Sequence, residues 1–247
     1  MFPIRDHNPS GRTPYVTYLL VAANIAIFLS YWLTLTGRDL DYFFYAWGLV
    51  PARVMSDGAV AGFFTSMFLH GGWMHLIGNM LFLWIFGDNL EDEMGHAKFA
   101  GFYLLSGLAA AAVQMAADPY TQIPMVGASG AIAGVLGGYL LMFPRARVDV
   151  LIIFIIFFRI IPIPAWIMLG LWFGMQLFGG LSTPTNGGGV AYWAHAGGFV
   201  AGLVLTLPLW LRLGAVRFWS RTHGAPPHPE AKYALSRSHI PRVTRRR

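Results

Sequence analysis

Three short stretches hold most of the side chains that could do chemistry in an otherwise apolar sequence. They are "HGGWMHLIGN" (His70 to Asn79), "GASGAIAG" (Gly127 to Gly134) and "AHAGGFVAG" (Ala194 to Gly202). His75 and Asn79 are four apart, so a helix puts them on one face. Both can donate hydrogen bonds toward one point. Ser129 is a lone hydroxyl between Gly127 and Gly130, and His195 is flanked by Ala194, Ala196, Gly197 and Gly198. A serine beside a histidine is a nucleophile with its base, provided the two heavy atoms come within about 2.6–3.2 Å.

Other catalytic classes fail on residue type. A membrane aspartyl protease needs two facing carboxylates, and no Asp, Glu, Lys or Arg falls in the interior of any of the spans read below. A zincin needs HExxH, which is absent, and there are no cysteines to supply a thiolate or a metal ligand. The only lysines, Lys98 and Lys232, lie outside the spans, so a Ser–Lys dyad fails too. Serine with histidine survives, without an acidic third member. No cofactor or metal is implied.

The elements that must position these residues are membrane helices. The chain is 56% hydrophobic and 11% charged, against about 25% charged in a soluble domain. From Ile160 to Leu211 there is no Asp, Glu, Lys or Arg. This is the composition of a polytopic membrane protein, here an all-α one. Fourteen mostly polar residues precede a first apolar run too long for a signal-peptide core, so no cleaved signal is expected. Six spans are expected: Tyr15 to Leu35, a second ending in Trp73 to Gly87, Phe99 to Ala117, Gly127 to Pro144, about Pro164 to Leu181, and about Tyr192 to Leu213. Gly58 to Gly72 reads as a loop embedded in the outer half of the bilayer. Val150 to Pro164, β-branched and interrupted by Arg159, reads as a cytoplasmic interfacial segment; a seventh span there is the alternative. With both ends cytoplasmic, fifteen Lys and Arg lie inside and only Arg38 and Arg53 outside, as the positive-inside rule requires. The chain thus divides into a cytoplasmic segment 1–14, a membrane domain 15–213 and a basic, disordered tail 214–247 that touches anionic lipid. The acidic run Asp88 to Gly95 reads as a solvated helix end, and His70 as an anchor of the outer loop.

Glycines explain how distant residues could meet. Gly130 and Gly134 on span four, and Gly198 and Gly202 on span six, are small-xxx-small pairs that let helix backbones approach closely. Pressing these spans together would bring Ser129 to His195. The topology puts Ser129, His195, His75 and Asn79 at similar depth, in the outer half of three different helices.

Taken together, the three stretches resemble the rhomboid intramembrane serine proteases, in the right order and from about Phe64 to Leu213. The resemblance implies a six-helix bundle, with Ser129 as nucleophile and His195 as general base. It implies an oxyanion hole of His75, Asn79 and the Ser129 backbone N–H, a membrane-embedded loop before span two, and a fifth span that gates substrate access. Substrates would be transmembrane helices with a locally unwound, small-residue segment. Some members carry a tyrosine four residues after the serine, packed on the histidine. Here that position is Ala133, so another side chain must orient His195 or the packing is looser. The competing class is a non-catalytic relative that binds client transmembrane helices. A small transporter would show internal repeats or membrane charges, and neither is present. Lipids and transmembrane substrates are the expected partners, with no nucleic acid; the oligomeric state is not encoded. Short loops and compact ends point to a bacterial inner membrane.

Overall fold

A computed structural model of the 247-residue chain describes residues 2–8, 10–154, 157–183 and 189–226. It is mostly helical. A short strand β1 (Phe2–Asp6) leads into α1 (Tyr15–Trp32), then α2 (Arg38–Trp47), α3 (Pro51–Asp57) and α4 (Gly62–Thr65). A 3₁₀ turn, Ser66–Phe68, precedes the long α5 (Trp73–Met94) and α6 (His96–Ala117). Next come α7 (Ser129–Met142), the strands β2 (Arg147–Phe154) and β3 (Phe157–Pro164), α8 (Ala165–Ser182), α9 (Tyr192–Arg212) and α10 (Val216–Thr222).

The helix that starts at Ser129 is the axis of the molecule. Every α7 residue from Gly130 to Tyr139 is buried, so it has no polar face, as a helix surrounded by others requires. The glycines set how closely its neighbours come. A Cβ on Gly198 would overlap the Gly130 carbonyl oxygen, and one on Gly202 would overlap that of Gly134. On the same interface a Cβ at Gly137 would overlap the Phe199 carbonyl. The two backbones touch, so α7 and α9 hold a fixed register.

Among the described residues four helices are long and apolar enough to cross a membrane: α1, α6, α8 and α9. The expected second and fourth spans differ from these in composition or length. Helix α5 has 22 residues but carries Asp88, Glu91, Asp92 and Glu93 toward its end, and α7 has only 14 residues, about 21 Å of helix.

Four features depart from the sequence reading. The fold is not purely helical: β1, β2 and β3 form an antiparallel sheet in that order. It lies at the end of α7 away from Ser129, where Tyr139 meets Asp6 and Asn8. Within the segment expected to lie along the interface, residues 150–154 and 157–163 are strands of this sheet. Because β2 and β3 pair antiparallel from Arg147↔Pro164 onward, the chain returns to the side it left, which disfavours a seventh span. The acidic run is not simply solvated, since Glu91 is 1% exposed. Its carboxylate accepts from the Val16 and Thr17 amides and the Thr17 hydroxyl, each at 2.8 Å, and from His96 Nδ1 at 2.6 Å. Those amides are orphan donors of α1's first turn, and Pro14 before them has no capping side chain. Finally, part of the tail expected to be disordered is α10, which buries Phe218 and donates from Trp219 Nε1 to the Leu141 carbonyl at 2.9 Å. Residues 227–247 of that tail lie outside the described residues.

Candidate active site

Ser129 is the first residue of α7, so its amide lies among the orphan N–H groups of a helix N-terminus. Just before it, Gly127 adopts φ +132°, a conformation that side chains disfavour, and its amide donates to the Ser66 carbonyl at 2.9 Å. That bond ties the serine's loop to the 3₁₀ turn. Gly127 is also needed for space. A Cβ there would sit 2.7 Å from His75 Nε2 and 3.5 Å from Ser129 Oγ. It would fill the gap between the two.

On the opposing helix, α9 begins with Ala194 N–H donating to Gln114 Oε1 of α6 at 3.0 Å. This side-chain cap fixes where the helix starts and thus where His195 lies. The contact of α9 with α7 then delivers the pair: Ser129 Oγ lies 2.8 Å from His195 Nε2. Across the ring, His195 Nδ1 lies 2.8 Å from Gln176 Oε1 of α8, and the Trp172 ring lies 5.7 Å away at a 33° tilt.

The two side chains from α5 have donors to spare. The Gly71 amide donates to His75 Nδ1 at 3.3 Å. A neutral ring accepting there carries its proton on Nε2, the atom nearest Gly127. Asn79 Nδ2 is buried without a hydrogen-bond partner, which is uncommon for a buried amide. His75, Asn79, Ser129, His195 and Trp172 line one cavity of about 580 Å³. Together they set a hydroxyl against an imidazole, with N–H groups facing the same space.

The remaining sequence candidates hold that arrangement. His70 is fully buried, and its backbone clamps one tyrosine hydroxyl. Tyr31 Oη donates to the His70 carbonyl and accepts from its amide, both at 2.8 Å. This ties the loop before α5 to α1. The His70 ring meets His75 edge-on, with centroids 5.1 Å apart. Gly130 and Gly198 are the backbone contact between α7 and α9. Ala133 is fully buried, and the His195 ring is met instead by Gln176 and Trp172 of α8. Sequence reasoning did not assign Gln176 to this site. Its signal was weak but present: an uncharged polar residue in an apolar helix, four residues after a tryptophan on the same face. Among the described residues no cluster of three or more His, Asp or Glu could hold a metal ion.

A family model described as "Rhomboid domain" matches residues 57–212. The chain is 28% identical to "Rhomboid protein 1, mitochondrial" of Saccharomyces cerevisiae, over 76% of this chain and 51% of that one. It is 33% identical to "Rhomboid protease GluP" of Bacillus subtilis, over 51% of this chain and 24% of the relative. With "Rhomboid protease GlpG" of Salmonella paratyphi A it shares 24% identity, over 78% of this chain and 63% of the relative. The chain thus spans less than two thirds of each relative's length.

Proposed function

The chain belongs to the rhomboid family, and on that premise we propose that this integral membrane protein is an intramembrane serine endopeptidase working through a Ser129–His195 dyad. The observation that carries the reading is the 2.8 Å Ser129 Oγ–His195 Nε2 contact, beside the unpartnered Asn79 amide, in one cavity. Relatives named as proteases support it.

The reaction proceeds by acyl transfer. Ser129 Oγ attacks a peptide carbonyl carbon while its proton passes to His195 Nε2. The carbonyl oxygen becomes an oxyanion, and His75 Nε2–H, Asn79 Nδ2–H and the Ser129 N–H donate to it. His195 then protonates the leaving amine as the C–N bond breaks. Water, giving its proton to the same nitrogen, attacks the acyl-enzyme and releases the carboxylate and Ser129. These steps follow the Ser–His–Asp template without the Asp. The substrate is a transmembrane helix that must unwind locally, because a helix hides its own carbonyls in backbone hydrogen bonds.

In this reading the membrane domain, 15–213, crosses six times, with 1–14 and 214–247 on the cytoplasmic side. The short α7 crosses inside the bundle, shielded from lipid by α5, α6, α8 and α9, and the loop Gly58–Gly72 lies in the outer half of the bilayer. The relatives include mitochondrial and chloroplastic members as well as bacterial ones. The test is cleavage of a transmembrane substrate by the purified protein in bilayers. Wild type should cleave, and Ser129→Ala, which removes one hydroxyl, should fold normally and cleave nothing. Retained cleavage by Ser129→Ala overturns the proposal.

A further inference from the structure

We propose that Gln176 is the positioning residue that fixes both the tautomer and the plane of the His195 ring; the proposal rests on the proteolytic reading above. The two ends of the Gln176 amide are told apart by their partners. Nε2 donates to the Trp172 carbonyl, one turn earlier on α8, at 3.2 Å. An amide nitrogen cannot accept, so Oε1 is the end that faces His195. Oε1 carries no hydrogen, so its 2.8 Å contact with Nδ1 requires the proton to be on Nδ1. A neutral imidazole has only one such proton. Nε2 is therefore left with a lone pair, and it is Nε2 that lies 2.8 Å from Ser129 Oγ. All three donors point the same way, from serine through imidazole and amide to the Trp172 carbonyl, so each bond polarises the next.

The choice of an amide has a physical reason. A carboxylate beside the ring would place a formal charge in an apolar span, which is costly. A neutral acceptor still orients the ring, and when Nε2 takes the serine proton it faces the resulting imidazolium with its oxygen dipole. Gln176 is 8% exposed, so little water competes for the bond. The Trp172 ring supplies a second restraint on the plane of the imidazole. Both groups ride on α8, four residues apart. Outward displacement of α8 would remove the acceptor and the flanking ring together, so base competence depends on α8 being seated.

The experiment is ring ¹⁵N NMR of the histidine-labelled full chain in bilayers, with the His195 signals identified by their absence in His195→Ala. Wild type should show the neutral ring protonated on Nδ1. Gln176→Leu should lose that fixed tautomer, and its kcat should fall about 10²-fold, as for other misplaced catalytic groups, with KM within about threefold. Gln176→Glu keeps an acceptor, and should restore the Nδ1 tautomer and bring kcat to within about tenfold of wild type. A purely structural role moves melting temperature and leaves the tautomer alone. A wild-type ring protonated on Nε2, or a Gln176→Leu variant with unchanged tautomer and kcat, overturns the proposal. The wild-type spectrum alone decides if a variant fails to fold. A wild type that carries the Nδ1 proton yet cleaves nothing counts against the proteolytic reading and leaves the positioning intact.

Discussion

Asn79→Ala should separate catalysis from stability in an unusual direction. The side chain is 8% exposed and its Nδ2 has no partner in the resting protein. A buried donor left unpaired costs about 1–3 kcal/mol. Its removal therefore breaks no resting hydrogen bond of that nitrogen. The vacated space opens onto the existing cavity of about 580 Å³, so no sealed void forms. The melting temperature should stay within about 2–4 °C of wild type, the shift expected for about 1 kcal/mol in a chain of this size. Turnover should behave differently. If Nδ2–H donates only to charge present in the transition state, its loss costs about 10²–10³ in kcat, or about 2.7–4 kcal/mol. KM should change by no more than a few-fold, because the ground-state carbonyl lacks that charge. His75 and the Ser129 amide remain, so residual cleavage stays measurable, and the His75→Ala/Asn79→Ala double variant need not show the sum of the single losses. Single-turnover rates and thermal melts on the same preparation are the assay. A variant with kcat within threefold of wild type and a clearly lowered melting temperature would make Asn79 a helix pin with no part in oxyanion binding.

Two further outcomes follow from the packing and the sheet. Gly198→Leu should abolish cleavage without touching a catalytic atom, because any side chain there strikes the Gly130 carbonyl and drives α9 from α7; wild-type turnover would contradict this. The β1 strand should depend on Asp149, whose carboxyl is held below its ordinary 3.8 chiefly by the hydrogen bond from His7, and also by that from Arg5. A depressed carboxyl contributes stability that is complete above the unfolded value and lost as pH falls through the lower folded one. Amide protection of Phe2–Asp6, corrected for intrinsic exchange, should therefore persist from neutral pH to about 4 and fail in stronger acid, while Asp149→Asn should lose it at pH 7. A protected strand in that variant would show that backbone pairing alone holds β1.

How much of this was legible depended on how local each signal was. The glycine pairs are four residues apart on single helices, so Gly130, Gly134, Gly198 and Gly202 announced a close contact before any partner was known. Ser129 and His195 stood out because apolar spans leave so few side chains able to react. Gln176 carries no such mark: an amide's partner lies on another helix, and nothing in its own stretch says that His195 is the one. The sheet was hidden for a related reason. "FPIRD" is too short to show alternation, and its partner β2 lies more than 140 residues away in sequence, with Phe2 opposite Leu151. Glu91 looked solvated among its acidic neighbours because the amides it caps belong to α1, some 75 residues earlier.

If Ser129 is a nucleophile activated by His195, a fluorophosphonate probe will label it without any transmembrane substrate present. The measurement is the labelling rate of the purified protein in bilayers, with the adduct mapped by mass spectrometry. The expected result is an adduct on Ser129 in wild type, none in Ser129→Ala, and essentially none in His195→Ala, whose serine has lost the base that lies 2.8 Å away. An adduct on any other residue, or labelling of His195→Ala at the wild-type rate, would contradict it.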